Sequence, residues 1–218
     1  YIDCLAALGI SFIEIGTVTP RPQYGNPKPR VFRNRKNKSI LNRLGFNNKG
    51  VNYVVDRLKK KKSSIFVGTS IGKNFDTCNE KAHLDYILCL EKVYEFSDYI
   101  AINISSPNTE DLRDLSKQEY LNFLLDKIKS KQEELSIEHG YKPIFLKVSP
   151  DEDLDNLKTI CGAVLDIELD GLICTNTSVH HQDPNGTGGL SGAPLKSKST
   201  KILNFIKNFL DHKVKLKA

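Results

Sequence analysis

The sequence predicts an α/β fold built from parallel strands. Two observations carry this. Short apolar runs alternate with amphipathic helical stripes along the whole chain, and the central runs are apolar on both faces, as strands covered on both sides are. Strand–helix–strand repetition of this kind implies right-handed crossovers between parallel strands. A doubly wound sheet and a (β/α)8 barrel both satisfy that pattern, but no G-x-G-x-x-G follows the first strand, which weakens a dinucleotide-binding fold.

The predicted strands are Phe12–Val18, Ile65–Ile71, Tyr99–Ile104, Ile144–Val148, Gly171–Thr175 and Val214–Ala218. Five helical stripes separate or follow them. Val51, Val54, Val55 and Leu58 make the first, and Leu84, Ile87 and Leu88 the second. Leu121, Leu124, Leu125 and Ile128 make the third, with Ser116-x-x-Glu119 reading as its capping box. Leu154, Leu157, Ile160 and Cys161 make the fourth; Ile202, Phe205, Ile206 and Phe209 make the fifth. Each stripe is read as core packing.

Composition excludes several classes. The 218 residues carry 39% hydrophobic and 27% charged side chains, too apolar for a disordered chain. The net charge of +6 comes from lysines spread along the sequence, and the Lys59–Lys62 run closes a helix, where basic groups suit the dipole. The basic stretches lack interleaved aromatics, so no nucleic-acid partner is expected. Five cysteines without a C-x-x-C pair predict reduced thiols. No metal site is expected, and the tandem His180-His181 is read as an exposed loop. No apolar run reaches the roughly 18–20 residues of a membrane span. The chain starts at Tyr1 and contains no Met, so a preceding segment is expected.

Chemistry gathers at the strand ends. Gly16-Thr17, Ser70 through Asn74, Asn103 through Thr109, Lys147 and Thr175-Asn176-Thr177 all follow the C-terminal ends of strands, which in a barrel face one end. Asn103, Ser106 and Asn108 offer neutral hydrogen-bonding groups suited to a planar ligand with amide and carboxylate edges; Asn176 and Asn42 extend the set. Turn building explains one such loop but not several at successive strand ends. Lys147 stands inside an apolar run, and a buried ammonium needs an anionic or electron-rich partner. Gly188-Gly189-Leu190-Ser191-Gly192 offers backbone N–H groups for a phosphate. Residues 21–33 are too irregular for an ordinary βα loop and read as a structured lid.

Six ordered motifs then resemble the dihydroorotate dehydrogenase family, over essentially the whole chain. They are Thr19-Pro20-Arg21-Pro22-Gln23, Gly25 through Arg30, Asn42-Arg43-Leu44-Gly45-Phe46-Asn47-Asn48, Asn103 through Thr109, Thr175-Asn176-Thr177 and Gly188 through Gly192. The segment Pro20–Arg33 and the Asn-Arg-x-Gly-Phe-Asn motif resemble the class 2, membrane-associated branch. Ser106 points the same way, since class 1 enzymes carry Cys there. The resemblance implies a (β/α)8 TIM barrel, incomplete in this chain, with residues 1–218 part of a single FMN-binding domain. A first strand with an Asp-Lys element is expected before Tyr1, and last strands with a Gly-Gly phosphate site after Ala218.

The implied activity is oxidation of dihydroorotate to orotate in de novo pyrimidine (UMP) synthesis, with FMN as cofactor and a quinone as final acceptor. Ser106 would be the general base. Asn42, Arg43, Leu44, Gly45, Phe46, Asn103, Asn108, Asn176 and Thr177 would hold substrate. Gly16, Thr17, Ser70, Asn103, Lys147, Thr175, Ser191 and Gly192 would contact FMN; many members have Asn where Ser70 stands. Thr109 would lie on the proton path and Arg33 in the quinone channel. Membrane association, bacterial or mitochondrial, would come through an N-terminal segment outside this chain. The competing readings are a class 1-like flavoenzyme using NAD or fumarate, and a catalytically inactive fragment.

Overall fold

A computed structural model of the protein describes residues 1–106 and 112–217. After a short helix α1 (Ile2–Ala7), five parallel strands form one sheet: β1 (Phe12–Val18), β4 (Phe66–Ile71), β5 (Tyr99–Asn103), β6 (Ile144–Val148) and β7 (Gly171–Cys174). Their order is β1-β4-β5-β6-β7, so each new strand adds to the same edge. A doubly wound sheet reverses direction at its switch point, and this one does not. Helices α2 (Val51–Leu58), α3 (Ala82–Val93), α4 (Gln118–His139), α5 (Leu154–Asp166) and α6 (Lys196–Lys217) complete the alternation.

Period-two alternation divides the sheet into two faces. Ile71, Ile100, Ile102, Ile144, Leu146 and Val148 are essentially unexposed and pack against α2–α6 in one core, while Val67, equally buried, packs with Leu58 and Ile65 in a second, smaller cluster. The opposite face carries Phe12, Glu14, Phe66, Tyr99, Phe145 and Lys147. Its rings pack sideways along the sheet: Phe66 stacks on Tyr99 at 6.1 Å and Tyr99 meets the edge of Phe145 at 5.7 Å. Gly68 lies beneath the Tyr99 ring, and a Cβ there would come within 2.0 Å of it. This face is concave. Glu14 of β1 holds Lys147 of β6 at 3.1 Å, although two strands lie between them. In a flat sheet three strand steps span about 14 Å, a gap that these side chains close because the sheet curls. The five strands thus form an arc of a (β/α)8 barrel, open rather than closed.

A second, antiparallel sheet was not anticipated from the sequence. Strands β2 (Val31–Asn34) and β3 (Ser39–Asn42) form a hairpin, and β8 (Gly189–Gly192) pairs with β3. The excursion after β1 therefore carries a small sheet of its own.

Three expectations are corrected. The run from Val214 continues α6 to Lys217 and is not a strand: no Gly or Pro breaks the helix after Phe209. Ser116 does not cap α4, whose N-cap Lys117 makes no side-chain capping bond; the Ser116 hydroxyl donates to Arg113 O at 2.7 Å instead. In α3, Leu84 and Leu88 are exposed, and the buried face is Ala82, Tyr86, Cys89, Leu90 and Val93. Tyr86 and Cys89 supply the apolar surface there, so counting only leucine and isoleucine mislaid the stripe by about half a turn.

Candidate active site

The C-terminal ends of the parallel strands bring the predicted residues together around Asn103, the last residue of β5. Asn103 is 4% exposed, and its side chain is used at both ends. Its Nδ2 donates to Thr17 Oγ1 at 2.9 Å, and Thr17 shares a 3.1 Å hydrogen bond with Ser70. Its Oδ1 accepts from Ser105 N and Ser105 Oγ, each at 3.2 Å, and from Asn176 Nδ2 at 3.4 Å. Asn176 Nδ2 also donates to Ser105 Oγ at 3.1 Å, while its Oδ1 accepts from Thr177 N at 2.8 Å. Side chains from β1, β4, β5 and the segment after β7 thus form one neutral network. Ser106 is buried beside it, 5% exposed. Asn108 and Thr109 lie outside the described residues.

The backbone around this network is fixed from behind. Tyr86, fully buried on α3, donates from its hydroxyl to Asn103 O at 2.8 Å and receives the Lys73 backbone N–H. Burial pushes the Tyr86 phenol far above its ordinary range, so it stays a donor. Gly16 sits where β1 and β4 slip register. At φ 119°, a Cβ on it would approach Ser70 O to 2.4 Å.

Lys147 is the only cation among the predicted cofactor contacts. It is the register partner of Asn103 on the neighbouring strand, and Glu14 provides the anion that its strand position demands. Glu14 is held at both oxygens, Oε1 by Lys147 and Oε2 by the Tyr99 hydroxyl, each at 3.1 Å. Burial, and then Glu14, push the Tyr99 phenol up to about 12.

The excursion after β1 reaches this end through Phe46. Its ring and the Thr17 methyl both flank Gly72, where an added Cβ would meet them at 3.0 and 2.9 Å. Asn74, 2% exposed, anchors the excursion by donating to Thr19 Oγ1, Arg21 O and Gln23 Oε1. Gly45 is buried, and its carbonyl accepts from Gln23 Nε2 at 2.9 Å; Leu44 is exposed. Asn42, Arg33, Ser191 and Gly192 belong to the antiparallel sheet, and Arg43 directly follows its strand β3. Asn42 Nδ2 donates to Gly189 O at 3.3 Å, and the Arg43 guanidinium lies 4.8 Å above the Phe32 ring. Arg33 is exposed on β2. Ser191 Oγ donates to Ile40 O at 3.2 Å, and Gly192 pairs with Ser39, so this glycine-rich stretch is strand. Thr175 faces α6, with its hydroxyl 3.4 Å from Ser199 Oγ.

Sequence reading missed Glu14, Tyr86, Tyr99, Ser105 and Asp151. Glu14 carried a usable signal: a carboxylate inside an apolar strand is as anomalous as Lys147. Among the described residues no His, Cys, Asp and Glu cluster has metal-binding geometry. Nor is any helix of the described residues long and apolar enough to cross a membrane.

The family model described as dihydroorotate dehydrogenase matches residues 1–218. The chain belongs to the dihydroorotate dehydrogenase family. A relative named dihydroorotate dehydrogenase (quinone) from Psychrobacter arcticus is 48% identical over 99% of this chain and 65% of its own length. One of the same name from Acinetobacter baumannii (strain AYE) is 47% identical, over 99% of this chain and 67% of the relative. The crystal structure of an Eimeria tenella dihydroorotate dehydrogenase with ferulenol superposes with a TM-score of 0.86 at 36% identity, covering 94% of this chain and 61% of that one. The chain therefore spans about 65% of the length of the curated relatives it matches. Both relatives bear the quinone designation, the branch that the motifs resemble.

Proposed function

We propose that the protein containing this chain oxidises dihydroorotate to orotate, with FMN as cofactor and a quinone as final electron acceptor, in pyrimidine synthesis. Residues 1–218 form part of a single FMN-binding barrel domain in this reading. The Asn103 network carries it: amides and hydroxyls from four chain segments converge on one barrel end, with a single ammonium on the adjacent strand. Such a donor set fits a ligand of uncharged amide edges whose reduced form becomes anionic.

Gly16, Thr17, Ser70, Asn103, Lys147, Thr175, Ser191 and Gly192 would hold FMN. When bound, that group supplies the two-electron acceptor. Asn42, Arg43, Leu44, Gly45, Phe46, Asn103, Asn108, Asn176 and Thr177 would hold the substrate. Neutral amides orient it without competing for its proton. Ser106 removes the C5 proton. A serine hydroxyl is a weak base, and its burial beside a hydrogen-bonded network supplies the water-excluded setting in which it works. Thr109 would carry the proton outward, and Arg33 on the exposed hairpin would line the quinone path. Membrane association, at a bacterial inner membrane or the mitochondrial one, would come through a segment outside this chain.

The test is a panel of electron acceptors offered to the full-length protein in detergent. Dihydroorotate oxidation coupled to quinone reduction supports the reading. Turnover with fumarate or NAD but not quinone would replace it with a class 1-like activity.

A further inference from the structure

Lys147 is predicted to face the cofactor, and its position on β6 would leave it free to move were it not for Glu14. The structure holds it. Glu14 Oε1 accepts from Lys147 Nζ at 3.1 Å across the concave face, with the two side chains only 25% and 23% exposed. Glu14 is itself fixed, because Tyr99 donates to Oε2 and the Tyr99 ring is wedged over Gly68 and against Phe66 and Phe145. A carboxylate on this strand face is costly unless it is paired, and Lys147 and Tyr99 pair it. Its charge also cancels much of what Lys147 would otherwise present to a neighbouring ligand.

We infer that Glu14 is a positioning residue that sets the aim of Lys147 and the net charge it offers, and so sets how readily the bound flavin is reduced. The Tyr99 hydroxyl is the second member of this device, drawing part of the carboxylate charge away from Lys147. The inference rests on the flavin reading above and goes beyond it by naming what tunes the cofactor.

The two side chains make opposite predictions. In Glu14→Gln the negative charge is lost, Lys147 stands uncompensated, and an anionic reduced flavin is favoured. In Tyr99→Phe the ring stays on Gly68, the carboxylate keeps its full charge, and the reduced form is disfavoured. The experiment is the flavin reduction potential of the full-length protein and both variants, by anaerobic equilibration with reference dyes. Glu14→Gln is expected to move the equilibrium about tenfold toward reduced flavin, about 30 mV upward for two electrons. Tyr99→Phe is expected to move it about threefold the other way, about 15 mV. A wild-type protein without flavin defeats the flavin reading and this inference together. Flavin bound at an unchanged potential in Glu14→Gln defeats the inference alone. Should Glu14→Gln fail to retain flavin, Tyr99→Phe decides: a lowered potential supports the device, and an unmoved one overturns it.

Discussion

Replacing Asp151 by asparagine tests how the barrel end is held together. Asp151 lies between β6 and α5 and accepts from four donors. Oδ1 takes Ser178 Oγ at 2.6 Å and Lys198 Nζ at 2.5 Å; Oδ2 takes Val179 N at 2.8 Å and Arg113 NH1 at 3.1 Å. These donors come from the β7–β8 connection, from α6 and from the turn before α4, and Arg113 also reaches Thr177 O at 3.4 Å. Burial pushes the Asp151 carboxyl up, but the bonds from Lys198, Ser178 and Val179 outweigh it and bring it from 3.8 down to about 2. That difference corresponds to about 2 kcal/mol of stability at neutral pH. Breaking a fully buried ion pair costs about 3–5 kcal/mol, but Lys198 and Arg113 keep 39% and 26% of their side chains in water, so the lower figure governs. Since the folded value lies below the ordinary one, the contribution is complete above about pH 5 and is lost as pH falls through about 2. About half remains at pH 3. Urea unfolding of the full-length protein and Asp151→Asn should thus differ by about 2 kcal/mol at pH 7, with the gap narrowing toward pH 3. Equal stability at pH 7, or a gap that does not change with pH, would refute the role of Asp151 in tying these segments together.

Two further substitutions probe the backbone of the site. Tyr86→Phe leaves Asn103 O without its buried donor and should cost about 1–3 kcal/mol in the same unfolding assay. It should also raise the KM for dihydroorotate more than it lowers kcat, because it acts on the placement of Asn103. Gly16→Ala drives a Cβ into Ser70 O, a backbone atom that cannot swing aside, and should cost about 2 kcal/mol or more and reduce the flavin content of the purified protein.

The strands of the barrel were legible because covered strands read as apolar runs, and the five parallel strands fall within a residue or so of their expected bounds. The antiparallel sheet was not. Ser39, Asn42, Gly189 and Ser191 lack the alternation of a half-buried strand, and β3 meets β8 across some 150 residues, a pairing that no local pattern encodes. At the site, Asn103, Asn176, Thr17 and Ser70 were visible as polar strand ends, and the structure links them directly. Glu14 and Asp151 were harder. The partner that gives Glu14 its meaning is 133 positions away, and Asp151 sits in an Asp151-Glu152-Asp153 run that reads as a solvated turn until its four donors are seen.

The most direct test of the central claim is the flavin absorbance of the full-length protein, purified in detergent, as dihydroorotate is added without oxygen. The expected result is a yellow protein that dihydroorotate bleaches, and a Ser106→Ala variant that binds flavin but bleaches slower by orders of magnitude. A protein without flavin, or a flavin that stays oxidised with dihydroorotate present, would contradict it, and this barrel would then serve a different chemistry.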